Sequence, residues 1–162
     1  MIRPIINISD LEFAPVPAPM PESVKGKFEG ARFGQVGRKI GAQKLGYNVT
    51  VVPPGKRAFP FHSHRVNEEM FFVLEGEGEV RIGDKTYPIR KGDFIAHPPG
   101  GADTAHQIVN TSANELRYLA VSTTHSPEIA DYPDSKKFGV GTADGFRFLG
   151  RTDQSLNYWD GE

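Results

Sequence analysis

The sequence predicts an all-β fold, and three observations carry this. Eighteen glycines and thirteen prolines cut the 162 residues into short runs. Frequent turns between short apolar runs mark a β-rich domain. Between residues 47 and 124 the runs are β-branched, continuously apolar or alternating, as strands are. No 3.6-residue apolar period persists in that interval. Short strands at this spacing make a sandwich or barrel, and the length suits one domain with a real core rather than two.

Residues 1–46 read as an irregular N-terminal arm. Residues 13–21, FAPVPAPMP, hold too much proline for a helix or a central strand. The expectation is an extended segment on the surface. Four glycines follow at 34, 37, 41 and 46 among basic residues. No helix start follows where a phosphate-cradling loop needs one.

Residues 47–124 supply the strands. Residues 47–52 are β-branched and stop at Pro53-Pro54-Gly55. Residues 70–74 are continuously apolar, as in a strand buried on both faces. Residues 77–82 alternate, with Val80 and Ile82 on one face and Glu79 and Arg81 on the other. Gly83-Asp84 turns the chain into a second alternating strand at 85–90. After Lys91-Gly92-Asp93 come a short strand at 94–96 and longer ones at 105–109 and 116–123. Residues 125–162 are polar but carry Tyr132, Phe138, Phe146, Phe148, Tyr158 and Trp159. That many aromatics predict a tail packed on the barrel or on a partner subunit.

The chemistry concentrates in residues 55–76, GKRAFPFHSHRVNEEMFFVLEG. His62 and His64 stand at i and i+2, so on a strand both imidazoles share a face. Glu68 and Glu69 head the apolar strand that follows. Phe59, Phe61, Phe71 and Phe72 flank the pair, and two buried imidazoles without partners would be costly. Two imidazoles beside a carboxylate suit a first-row transition metal. A third histidine would make the site firmer. His106 begins a strand; His97 precedes two prolines and reads as packing or as a base; His125 reads as surface.

Residues 55–76 resemble the first motif of the cupin superfamily, with Gly55, His62, His64, Glu69 and Gly76 in register. Six residues separate Gly55 from His62 where the family has five. Residues 92–110, GDFIAHPPGGADTAHQIVN, resemble the second motif through Gly92, Pro98, Gly100, His106 and Asn110. Five residues, not two, lie between Gly100 and His106, which reads as a three-residue insertion. Strict spacing would put Asp103 at the ligand position. The resemblance covers about residues 47–124. It implies a double-stranded β-helix, a jelly-roll barrel, holding one divalent metal ion through His62, His64, Glu69 and His106. It also implies a homodimer. Residues 130–140, ADYPDSKKFGV, further resemble small single-domain cupins of a sugar-phosphate-isomerase-like group.

Three imidazoles and a carboxylate leave up to two open positions on an octahedral ion, and Fe, Mn, Ni, Co and Zn all suit such a set. Isomerase or epimerase chemistry on a sugar phosphate is the leading expectation, with Glu69 or His97 as base. Lys56, Arg57 and Arg65 beside the histidines could meet the phosphate. Phe61, Phe71 and Tyr118 could line the mouth. A metal-dependent dioxygenase and a non-catalytic small-molecule-binding barrel are the alternatives. Net charge is −1 with scattered basic residues, which argues against nucleic-acid binding. There is no cysteine, so disulfides and thiolate sites are excluded. No run reaches the ~20 apolar residues of a membrane span, and no secretory signal heads the chain. The expectation is a cytoplasmic protein.

Overall fold

The structure is a computed structural model that describes residues 2–16 and 20–162. Residues 17–19 of the proline-rich stretch lie outside the described residues, so the extended path expected there is tested only at its ends. In chain order the strands are β1 (Ala14–Pro15), β2 (Arg32–Gln35), β3 (Leu45–Val52), β4 (Ser63–His64), β5 (Glu69–Glu75), β6 (Glu77–Ile82) and β7 (Lys85–Arg90). They continue with β8 (Phe94–His97), β9 (His106–Val109), β10 (Leu116–Thr123), β11 (Glu128–Tyr132), β12 (Lys137–Gly141) and β13 (Arg147–Arg151). One helix, α1 (Glu22–Phe28), and three single 3₁₀ turns complete the described residues.

All pairings between these strands are antiparallel. One layer is a six-stranded sheet in the order β1-β2-β3-β10-β5-β8. The other consists of a three-stranded sheet, β7-β6-β9, and a four-stranded sheet, β13-β12-β11-β4. An isolated bridge between His62 and His106 joins these two. The core lies between the layers. Phe71, Val73, Ile95, Leu116, Tyr118 and Val52 of the large sheet meet Val80, Ile89 and Ile108 of the small one. This is the jelly-roll arrangement that the alternating strands predict.

The strands from 47 to 124 fall where the alternation places them, to within two residues at each end. The strand at 70–74 differs in one respect. Phe71 and Val73 are buried, whereas Met70, Phe72 and Leu74 are only half-buried. One face meets the core and the other is partly covered, so the continuous apolar run records two faces of unequal burial.

Residues 1–46 hold more order than their glycine and proline content predicts. β2 pairs with β3, from Arg32 opposite Val51 to Gln35 opposite Asn48. β1, carrying Pro15, takes the edge position, where a missing N–H costs no ladder bond. Helix α1 follows Pro21. It places Glu22 in its first turn and Lys25 and Lys27 in its last, with the charges complementing the helix dipole. The tail pairs with its own chain as far as Arg151, and Leu156, Tyr158 and Trp159 beyond it are exposed rather than packed on the jelly roll. β11 pairs with β4 through Ala130 opposite His64, and β12 and β13 extend that sheet.

Asn110 fastens the end of the barrel away from the histidines. Its side chain is fully buried. Its Nδ2 donates to the carbonyls of Val52 at 2.8 Å and Asn114 at 2.7 Å. Its Oδ1 accepts from the Ser112 N–H at 2.9 Å. One side chain thus ties the end of β3 to the turn between β9 and β10. Replacing Asn110 by Ala takes the side-chain donor from the buried Val52 carbonyl and unties the Ser112–Asn114 turn, and we expect a loss of about 2 kcal/mol. The urea midpoint followed by circular dichroism measures it; an unchanged midpoint refutes this role.

Candidate metal centre

Four side chains converge at the mouth of the jelly roll. His62 is held by its own backbone: its N–H donates to the His106 carbonyl at 3.1 Å, and His106 returns the bond at 2.7 Å. Its Nδ1 lies 2.8 Å from the Pro60 carbonyl and donates to it, which leaves the Nε2 lone pair free. His64 ends β4 two residues on, with its side chain on the same face. Glu69 heads β5, and its Oε2 sits 3.3 Å from His64 Nε2 and 3.1 Å from His106 Nε2. Ligand atoms of His62, His64 and Glu69 all lie within 4.8 Å of one another. His106, at the head of β9, joins them through Glu69.

The donor set fits a metal ion by a second criterion. Both nitrogens of His64 and of His106, together with Glu69 Oε2, are buried without a hydrogen-bond partner among the described residues. Buried polar atoms are ordinarily paired. Of the unpaired atoms here, His64 Nε2 and His106 Nε2 face Glu69 Oε2 at 3.3 and 3.1 Å, and they are the atoms a cation would satisfy.

The titration of these groups follows from burial and from each other. Burial, reinforced by the neighbouring His106, lowers His62 to about 4, so it stays neutral well below physiological pH. Burial also acts to lower His64. The carboxylates of Glu69 and Glu128 outweigh it and raise that group. For Glu69, burial alone would raise the pKa, but the imidazoles of His106 and His64 lying against it prevail and hold it far below the usual carboxylate range.

His97 stands opposite Glu69 across the β5–β8 ladder. It is 2% exposed, stacks on His106 with ring centres 3.8 Å apart, and touches Phe71. Neither ring nitrogen has a hydrogen-bond partner among the described residues. Burial, and then the charge of His106, lowers it to about 3. It therefore packs as a neutral ring that holds His106 in place.

The other residues nominated from sequence fall into two groups. Phe71 and Tyr118 wall the inner end of the site, with ring centres 5.5 Å apart. With His62, His106 and Phe59 they surround a cavity of only about 20 Å³. Phe61 does not line that cavity; its buried ring carries the Arg81 guanidinium at 3.7 Å. The three cations beside the histidines are engaged elsewhere. Lys56 donates to the Gly26 carbonyl at 2.8 Å, Arg57 to Gln107 at 3.2 Å, and Arg65 pairs with Asp131. Asp103, Glu68 and His125 are exposed. The insertion before His106 forms a turn at 101–104, closed by the Thr104 N–H donating to the Gly101 carbonyl. It delivers His106, rather than Asp103, to the cluster.

Sequence reasoning missed Glu128 and Tyr132. Glu128 reaches within 3.7 Å of His64 Nδ1. It also accepts the backbone N–H groups of Arg65, Val66 and Asn67, fixing the loop that follows His64. Tyr132 stacks on His62 at 6.0 Å between centres. Both belong to the tail, more than sixty residues on in sequence, and only the β4–β11 pairing brings them here.

Substituting His64 by Ala should sharply lower the metal content of the protein as isolated while its circular dichroism is kept. Full metal occupancy in that variant would sink the assignment. Because ligating imidazoles must be neutral, protons compete with metal. His64, raised above its ordinary value of 6.5, takes a proton first as pH falls, and His62 resists to about 4. Metal affinity should therefore begin to decline while the pH is still above the ordinary histidine value of 6.5. A flat affinity between pH 8 and 5, measured by competition with a chromogenic chelator, refutes this.

Residues 48–122 match the family model of the cupin domain. A cupin-superfamily sugar phosphate isomerase from Silicibacter pomeroyi superposes with a TM-score of 0.82 at 25% identity, covering 97% of this chain and 98% of that one. A putative sugar phosphate isomerase from Acidithiobacillus ferrooxidans gives a TM-score of 0.69 at 27% identity, covering 78% and 81%. The oxalate-binding protein of Thermotoga maritima is 34% identical over 70 residues, which are 43% of this chain and 54% of that protein. The chain spans about half the length of the curated relatives it matches. The layered strands, the histidine cluster and these likenesses agree: residues 48–122 match the cupin domain, and the chain shares the fold of cupin-superfamily structures over nearly its whole length.

Proposed function

We propose that the protein is a metal-dependent isomerase or epimerase acting on a small sugar phosphate. The observation that carries this is the cluster itself: three imidazoles and one carboxylate, with atoms left unsatisfied, in a fold like that of the Silicibacter pomeroyi sugar phosphate isomerase over nearly its whole length. A divalent first-row ion held by His62, His64, Glu69 and His106 supplies a Lewis acid for a substrate oxygen.

The chain's own residues supply the rest. Isomerisation moves a proton between adjacent carbons of a hydroxy-carbonyl unit and needs a base close to the carbon-bound proton. Glu69 stays ionised because the imidazoles of His106 and His64 lie against it. Only its Oε2 is among the buried unsatisfied atoms. We assign proton transfer to Glu69 and the positioning of His106 to His97. Phe71 and Tyr118 close the inner end, since the space there admits no more than a water-sized group. Substrate approach is therefore from the His64 side.

The test uses metal-loaded protein with a panel of aldose and ketose phosphates in deuterated water. The expected result is isomer formation, with or without deuterium at the reacting carbon, read by NMR. Neither isomer nor exchange across the panel refutes the reading. The likeness to the oxalate-binding protein favours a second reading, a barrel that binds a small oxygenated anion without turnover. Under it, oxalate raises the melting temperature while no substrate is consumed.

We further infer a homodimer. Phe94 is 74% exposed, and Leu156, Tyr158 and Trp159 of the tail are 72–84% exposed, a large apolar area for an isolated chain. Light scattering should give twice the chain mass at micromolar concentration; the mass of one chain refutes it.

A further inference from the structure

The tail sheet builds a trough that begins at the metal cluster, and its far side carries a cation. Cross-strand partners in an antiparallel ladder share a face. His64 stands opposite Ala130, Ala130 opposite Gly139, and Gly139 opposite Leu149. The adjacent row runs Glu128, Gly141, Arg147. These two rows line one cavity of about 440 Å³, roofed in part by Tyr132. Its volume is that of a small-molecule site, and it opens on His64, the ligand turned away from the closed inner end.

Arg147 lies down in this trough. Its guanidinium rests over Gly141, close enough that any β-carbon there would collide with it. Gly141 is buried beneath it. The other arginines that meet carboxylates are Arg32, Arg65, Arg81 and Arg117. Arg147 forms no ion pair and donates no side-chain hydrogen bond among the described residues. Glu128 shares the trough, but its oxygens are taken up by the N–H groups of Arg65, Val66, Asn67 and Ile129. Arg147 is thus the cation of this cavity left with open donors.

We propose that Arg147 is the oxyanion-binding residue of the site: it holds the phosphate or carboxylate of a substrate whose oxygen donors reach the metal cluster. This deepens, and rests on, the reading of that cluster as the reacting end. Guanidinium offers paired N–H groups that match an oxyanion bidentately. Two strand steps separate β12, beneath the guanidinium, from β4, which carries His64. At ~4.8 Å per step that is about 10 Å, the span of a small phosphorylated or carboxylated molecule rather than of a polymer. The role that residue order suggested for Arg57 and Arg65 passes to an arginine more than eighty positions further along the chain.

The test is the binding of inorganic phosphate, and separately acetate, by calorimetry against chloride of matched ionic strength. It uses the protein as purified and three variants. Arg147→Ala removes the donors. Gly141→Ala keeps the charge but displaces the guanidinium. His64→Ala removes the metal. The expected pattern is binding by the wild type and by His64→Ala, and affinity at least about tenfold weaker in Arg147→Ala and Gly141→Ala with metal content unchanged. Preference for phosphate or for acetate then identifies which oxyanion the site takes. No binding by the wild type overturns the proposal. So does equal binding by wild type and Arg147→Ala, or loss in His64→Ala with retention in Arg147→Ala, which would place the anion on the metal. Binding is read without turnover, so the isomerase reading can fail in deuterated water while this result stands, and the reverse.

Discussion

His62 and His106 exchange backbone hydrogen bonds of 3.1 and 2.7 Å, and fold and site both depend on that pair. The bonds join the three-stranded sheet to the four-stranded sheet and make the second layer of the jelly roll continuous. They also fix two imidazoles side by side, with ring centres 4.7 Å apart. A slip of one residue in this register would turn both rings to the opposite face. The metal cluster is therefore a consequence of how the layer closes.

The cluster has a cost that the surrounding structure carries. Four histidine or glutamate side chains with unsatisfied atoms lie at one end of a core otherwise made of Val, Ile, Leu and aromatic residues. Unpaired buried polar groups oppose folding, and like-charged imidazolium ions so close would repel. The protein limits the penalty by keeping His62 and His97 neutral through burial and Glu69 ionised through its imidazole contacts. The opposite end is fastened by Asn110, whose polar atoms are all paired. One end is satisfied and rigid; the other is left unsatisfied and able to bind.

The two sides of the cluster differ in what they admit. Towards the core, Phe71 and Tyr118 leave space for little more than a water-sized group. Towards the tail sheet, Ala130, Gly139 and Gly141 keep the floor low and the cavity wide. The width of that side follows from side-chain size on β11 and β12, segments outside the matched cupin domain of residues 48–122. The matched domain carries the histidine–glutamate cluster, and the tail carries the cavity beside it.

The strands of the barrel were legible in the sequence because alternation and turn residues are local, and each strand from 47 to 124 reads from its own residues. The cluster of His62, His64 and Glu69 was legible for the same reason, since i, i+2 spacing on a strand is a statement about neighbours. His106 required the second motif and tolerance of an insertion, which the structure accommodates in the turn at 101–104. What local pattern could not show is which distant segments share a face. β2 hides in a glycine-rich stretch because its partner β3 is what orders it. Glu128, Tyr132 and Arg147 enter the site only through the β4–β11–β12–β13 ladder. Arg57 and Arg65, adjacent to the histidines in sequence, are committed to Gln107 and Asp131. Neighbours along a strand point to alternate faces, so adjacency in the chain pointed to the histidine–glutamate cluster, and tertiary pairing decided what surrounds it.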